Sequence, residues 1–224
     1  MVRIMGKKVG MTQIFEEDGT VVPVSVVEMK PNTVIYRKTA QKEGYNACVL
    51  GYGEKKHPNK PYAGEFKALN IKPTQVLYEV RNAPEDWVIG SQLGVTVFSG
   101  TQRVNVEGCS IGKGFAGGMK RYGWKGGPDG HGSKFHRRPG SVGTAEPGET
   151  VKGHPLPGRM GNENQTTANL KLVKIDEPKN LLFIRGAIPG AKNSYVLVIP
   201  RKNKIIPPKQ DVAKAPQSSS ARRK

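Results

Sequence analysis

Three histidines, His131, His136 and His154, share one glycine-rich stretch of this chain with three carboxylates, Asp129, Glu146 and Glu149. Side chains of these types could hold a metal ion or exchange protons, but their spacing supports neither. There is no HExxH, neither cysteine stands at ligand spacing, and no pattern gathers the carboxylates on one reacting group. Gly112-Lys-Gly114-Phe-Ala-Gly117 spells a GxGxxG dinucleotide fingerprint. Glycines at 118, 123, 126 and 127 then break the segment that would have to supply a receiving helix, and no βαβ unit follows. Catalytic residues, metal ligands and cofactors are therefore not expected.

What the stretch offers instead is cations and aromatics. Lys120, Arg121, Lys125, Lys134, Arg137 and Arg138 are suited to neutralising phosphates, and an arginine fork can grip one with two hydrogen bonds. Phe115, Tyr122, Trp124, Phe135 and His136 could stack on bases, and Lys113, Lys152 and Arg159 complete the candidate RNA contacts. A second reading of the aromatics is also open: they could form a small core inside the loop.

Charge supports a polyanionic partner. The 224 residues hold 36 Lys and Arg against 18 Asp and Glu, a net charge of +18. Residues 108–161 contribute nine basic and three acidic groups and residues 201–224 eight and one, so these two segments hold +13 of the total. A surface tuned only for solubility would spread its charge. Nucleic acid is the expected partner. An anionic membrane is not, because there is no run of 18 apolar residues and no long basic amphipathic helix. No signal peptide is recognised at the start, and two distant cysteines, Cys48 and Cys109, point to a reducing compartment, so a cytoplasmic location is expected.

The elements that must position these groups read as β structure. Thr12–Phe15 and Thr20–Met29 flank Asp18-Gly19, a strong hairpin signal. Thr33–Thr39, Ala47–Tyr52, Val76–Val80, Gly94–Phe98 and Arg103–Glu107 continue the β-branched pattern, with a short helix over Ala63–Asn70. The pattern stops at Gly108 and resumes over Ala168–Asp176, Asn180–Gly186 and Ser194–Pro200. Within this gap the 54 residues 108–161 hold 16 of the 28 glycines and have no expected secondary structure of their own. The division this predicts is a discontinuous β domain, 1–107 and 162–200, with a small insertion around 53–92. An RNA-penetrating extension spans 108–161, and a basic flexible tail spans 201–224.

The segments GKKVGMTQIF, GKGFAGGMKR, HGSKFHRRPGS, LPGRMGNE and NLLFIRGAIPGAK, in this order from residue 6 to residue 192, resemble the family of the universal third protein of the large ribosomal subunit, in its bacterial-type form. The resemblance implies a closed small β-barrel of the translation-protein type. It also implies an extension threaded through ribosomal RNA toward the peptidyl transferase centre, contacts near the 3′ end of that RNA, neighbouring ribosomal proteins and an early role in assembly. It makes Lys113, Lys120, Arg121, His136, Arg137 and Arg138 RNA contacts and puts Ser141–Lys152 nearest the catalytic RNA. Relatives often carry a methylated glutamine in that loop; this chain reads SVGTAEPGETVK there, so the modification is not expected. The expected function is that of a non-enzymatic structural constituent of the large subunit, with no small-molecule substrate. A stand-alone single-strand-binding barrel would instead need an aromatic stacking face on its strands, and an RNA-processing enzyme a carboxylate or metal cluster.

Overall fold

The structure is a computed structural model that describes residues 2–201 other than 85, 144 and 147. In chain order it forms β1 (Ile4–Phe15), β2 (Val21–Glu28), β3 (Asn32–Lys38), α1 (Ala40–Glu43), β4 (Ala47–Glu54), α2 (Lys60–Lys67), β5 (Thr74–Arg81) and β6 (Gln92–Leu93). A 3-10 turn over Val95–Phe98 leads to β7 (Arg103–Cys109), β8 (Gly114–Ala116), α3 (Gly118–Tyr122) and β9 (Gly158–Met160). β10 (Asn164–Asp176), β11 (Leu181–Arg185) and β12 (Tyr195–Pro200) complete the chain's described part. The basic tail expected over 201–224 lies, beyond Arg201, outside the described residues.

The chain is mostly β, as expected. Six antiparallel strands hydrogen-bond in the closed order β1-β12-β7-β10-β11-β2, and β2 returns to β1. Closure leaves this sheet without the unpaired edge that an open sheet would expose. Alternation along β7 and β12 turns Val104, Val106, Val196 and Val198 inward, where they meet Ile4, Val27, Leu182 and Ile184. The turn at Glu16–Thr20 is the one that Asp18-Gly19 signals, with the Gly19 N–H donating to the Glu16 carbonyl at 2.9 Å.

A second sheet, β5-β4-β3-β6, occupies residues 32–93, a longer excursion than 53–92. Its inner residues Val34, Leu50 and Val80 join the same core as the ring. Cys48 lies there too, and burial pushes its thiol up, away from the reactive thiolate. The junction with β1 is polar and centred on the fully buried Asn32. Asn32 donates to the Met5 carbonyl at 3.1 Å, Tyr78 donates to Asn32 Oδ1 at 3.0 Å, and the Met5 N–H donates to the Tyr78 hydroxyl at 3.1 Å. Each buried polar group is thereby satisfied, which fixes one sheet against the other.

Three expectations are corrected. Gly94–Phe98 is not a strand: Val95 and Phe98 are both buried, and a three-residue turn brings positions i and i+3 to the same side, which extended backbone would not. The first strand begins at Ile4, eight residues earlier than the TQIF pattern shows. Gly6 hides it, because it sits where Val27 and Glu28 approach too closely for any Cβ. β10 begins at Asn164, through polar residues paired to β7 by backbone alone.

Asn32→Ala leaves the Tyr78 hydroxyl and the Met5 carbonyl buried without their partner. The expected loss in a denaturant melt is about 1–3 kcal/mol. Burial also pushes the Tyr52 and Tyr78 phenols up, so the fold favours their neutral form. Stability should hold below about pH 10 and fall above it, where phenols of the unfolded chain ionise first. Tyrosinate absorbance followed alongside unfolding checks this order, and Tyr78→Phe should reduce the alkaline loss.

Candidate nucleic-acid interface

The glycine-rich segment leaves and re-enters the ring through neighbouring strands. Cys109 faces Asn164, and the pairing continues beyond the ring: Ser110 N–H donates to the Glu163 carbonyl at 2.9 Å and Asn162 N–H to the Ser110 carbonyl at 3.2 Å. β8 and β9 then pair from Gly114↔Met160 to Ala116↔Gly158. The result is a two-stranded stem. At its bend Gly161 has φ +74°, and a Cβ there would collide with the Ile111 carbonyl oxygen.

The expectation of no secondary structure in 108–161 is therefore corrected, by β8, β9 and the single-turn α3. The small α3 forms despite its glycines because Trp124 folds back over it. Its indole lies on Gly118 so closely that any side chain at 118 would overlap the ring. Arg121, from the same turn, donates to the Leu156 carbonyl at 2.8 Å and ties the outgoing strand to the returning one. Farther along, Phe135 covers Gly127 and Gly140, and Gly127 N–H donates to the His136 carbonyl at 2.7 Å. His136 reaches this position in the left-handed region, at φ +43°. The reading of the aromatics as a loop core thus holds for Trp124 and in part for Phe135, which is 41% exposed.

The remaining candidates face outward. Lys113, Lys120, Lys125, Lys134, Arg137, Arg138, Lys152 and Arg159 are exposed, as are Tyr122 and His136. Among the described residues none of these lysines and arginines pairs with a carboxylate, and His136 Nδ1 lies 3.8 Å from Asp129 Oδ1. Phe115 projects from the stem at 81% exposure, next to Lys113. Beside the stem an open groove of about 650 Å³ is lined by Ile111, Lys113, Tyr122, Pro189 and Lys8. Lys8 is the residue that motif reading passed over. Its ammonium donates to the Ile188 and Gly190 carbonyls at 2.9 and 2.7 Å, and burial holds its pKa below the usual lysine range.

Among the described residues no three His, Cys, Asp or Glu side chains come together as metal ligands would. Among the described residues no helix is long and apolar enough to cross a membrane. A closed β ring bearing a shaped arm of exposed cations defines the class: a β protein built to bind a polyanion.

The comparisons narrow this class. The model of the family described as Ribosomal protein L3 matches residues 80–181. The large ribosomal subunit protein uL3 of Carboxydothermus hydrogenoformans is 48% identical over 198 residues, covering 87% of this chain and 95% of the relative. That of Shouchella clausii is 46% identical over 196 residues with the same coverage, and that of Thermosipho africanus 44% identical over 200 residues, covering 88% and 97%. The chain belongs to the ribosomal protein L3 family.

Trp124→Ala and Gly118→Val should both loosen the arm without unfolding the ring. Hydrogen exchange over residues 114–140 is expected to speed up while β1, β7 and β12 stay protected and the melting temperature barely moves. A parallel fall in melting temperature would show that the arm is part of the cooperative core.

Proposed function

We infer that this protein is a structural, non-enzymatic constituent of the large ribosomal subunit that binds its ribosomal RNA and contacts neighbouring ribosomal proteins. One observation carries the reading. The arm presents eight exposed lysines and arginines that pair with no carboxylate among the described residues, on a backbone held by its own stem. Such a surface gains more from a folded RNA than from water, since each neutralised phosphate releases a counterion. The relatives bear the name of a large-subunit protein across almost their whole length.

On this reading the closed ring is a barrel of the translation-protein type that docks on the subunit. Residues 108–161 are the RNA-penetrating arm, and 201–224 a basic tail that adds general electrostatic attraction. Support for the barrel comes from its closed strand order, and for the arm from its own stem and charge. Lys113, Lys120, Lys125, Lys134, Arg137, Arg138, Lys152 and Arg159 contact phosphates. Tyr122, Phe135 and His136 meet bases or sugars. Arg121 and Trp124 act mainly by holding the arm's shape. On the same reading the 141–152 loop faces the peptidyl transferase centre and the protein lies near the 3′ end of the RNA, bound early in assembly; its resemblance to the family supports this. Any chemistry there belongs to the RNA.

Binding of the full chain to large-subunit RNA should weaken steeply with salt. With about eight phosphates neutralised, at roughly 0.7–0.9 per contact, the log–log slope should be near −6 to −7. Arg137→Ala with Arg138→Ala should make the slope shallower by about 1.5 and cost about 1.5–3 kcal/mol per desolvated contact, with the free protein melting normally. A flat salt response between about 50 and 200 mM would defeat the reading.

A further inference from the structure

A second cationic surface lies on the other sheet. Residues 1–107 hold 14 basic and 11 acidic groups, and residues 54–73 account for five and two of them, leaving nine of each elsewhere. The whole surplus of the first 107 residues therefore sits in the short excursion between β4 and β5.

The excursion is built rather than loose. Its base closes where the Lys55 N–H donates to the Pro73 carbonyl at 2.9 Å, next to the Glu54↔Thr74 pair of the sheet. Phe66 of α2 is buried, Tyr62 stacks against it at 4.9 Å between centroids, and the Tyr62 hydroxyl donates to the Thr74 carbonyl at 2.9 Å. Two of its lysines are engaged internally: Lys55 lies over the Tyr62 ring at 4.4 Å, and Lys72 pairs with Glu54 at 3.2 Å. The other three, Lys56, Lys60 and Lys67, are exposed and pair with no carboxylate among the described residues. Lys60 and Lys67 are seven apart on α2, two helical turns, so they share one face, turned roughly 100–120° round the helix axis from Phe66. Gly64 lies between them with open space where a side chain would stand.

We propose that Lys56, Lys60 and Lys67 form a second RNA-phosphate docking site, independent of the arm. It deepens the RNA-binding reading above and rests on it. The bare Gly64 lets a sugar–phosphate backbone approach the helix between two cations. A protein partner fits less well, because residues 54–73 expose no large hydrophobic side chain, whereas the centre of a protein interface is apolar. Bound at both the arm and α2, the chain would be fixed on the RNA in orientation as well as position, since two separated contacts remove rotations that one leaves free.

Two measurements on the full chain with a large-subunit rRNA transcript test this. Lysine acylation read by mass spectrometry should show Lys56, Lys60 and Lys67 protected by RNA, with Lys42 on α1 as an exposed reference that stays reactive. Replacing all three by glutamine should make the salt slope shallower by about two, leaving the arm's contribution in place. If the parent chain binds with a steep slope but the three lysines stay reactive and the triple variant binds as the parent does, this site is wrong and the arm reading stands. If the parent itself shows no salt dependence, the broader reading fails. Protection seen only in assembled subunits, and not with RNA alone, would overturn the RNA site in favour of an acidic protein neighbour.

Discussion

The pairing of β7 with β10 is the constraint on which the rest depends. It closes the ring on one side and holds both ends of a 54-residue segment within one strand spacing of each other. A loop of that length with free ends would fluctuate over many conformations, and ordering it on RNA would consume much of the binding free energy. Continuing the pairing through Ser110, Asn162 and Glu163 into β8 and β9 moves the point of departure outward. The arm emerges already aimed. The same hydrogen bonds that stabilise the ring therefore set the direction in which the cations point.

Charge and glycine content look at first like a recipe for disorder, and the arm escapes it by an unusual division of labour. Its large side chains are few, and two of them cover backbone rather than other side chains: Trp124 on Gly118, Phe135 on Gly127 and Gly140. Contacts of this kind need the glycines, since any Cβ would hold the ring off. They leave other apolar surface open, Phe115 at 81% and Tyr122 at 48% exposure, beside lysines and arginines that are themselves exposed.

How much of this could be read in the residues varied with the physical signal. β-branched alternation found most of the ring and the second sheet, because burial on one face writes a period of two into strands such as β7 and β12. It missed the start of β1, where glycine replaces the expected side chain to admit a neighbouring strand. It also missed the first residues of β10, whose side chains are polar and whose pairing lies in the backbone. Val95–Phe98 misled for the opposite reason: β-branched composition favoured a strand, while the core needed two side chains three apart on one side. The candidate cations were found by type and clustering alone. What could not be read was which of them the protein uses for itself. Arg121 and Arg137 look alike in sequence, and only the position of the Leu156 carbonyl separates a tie from a free charge.

That separation matters for how the arm can bind. Arginine and tryptophan are the side chains best suited to grip phosphate and stack on bases, yet one of each is turned inward here. Used that way, they lose their rotational freedom when the chain folds and not when RNA arrives. The cations that remain outward are then displayed on a frame that need not be reorganised, so their attraction to phosphate is not spent on ordering the arm. Had Arg121 and Trp124 pointed outward, the arm would have gained two contacts and lost the tie between its strands. Exchanging two contacts for a fixed geometry favours tight binding to one RNA shape over loose binding to many. A structural protein that must hold one RNA fold gains from that exchange.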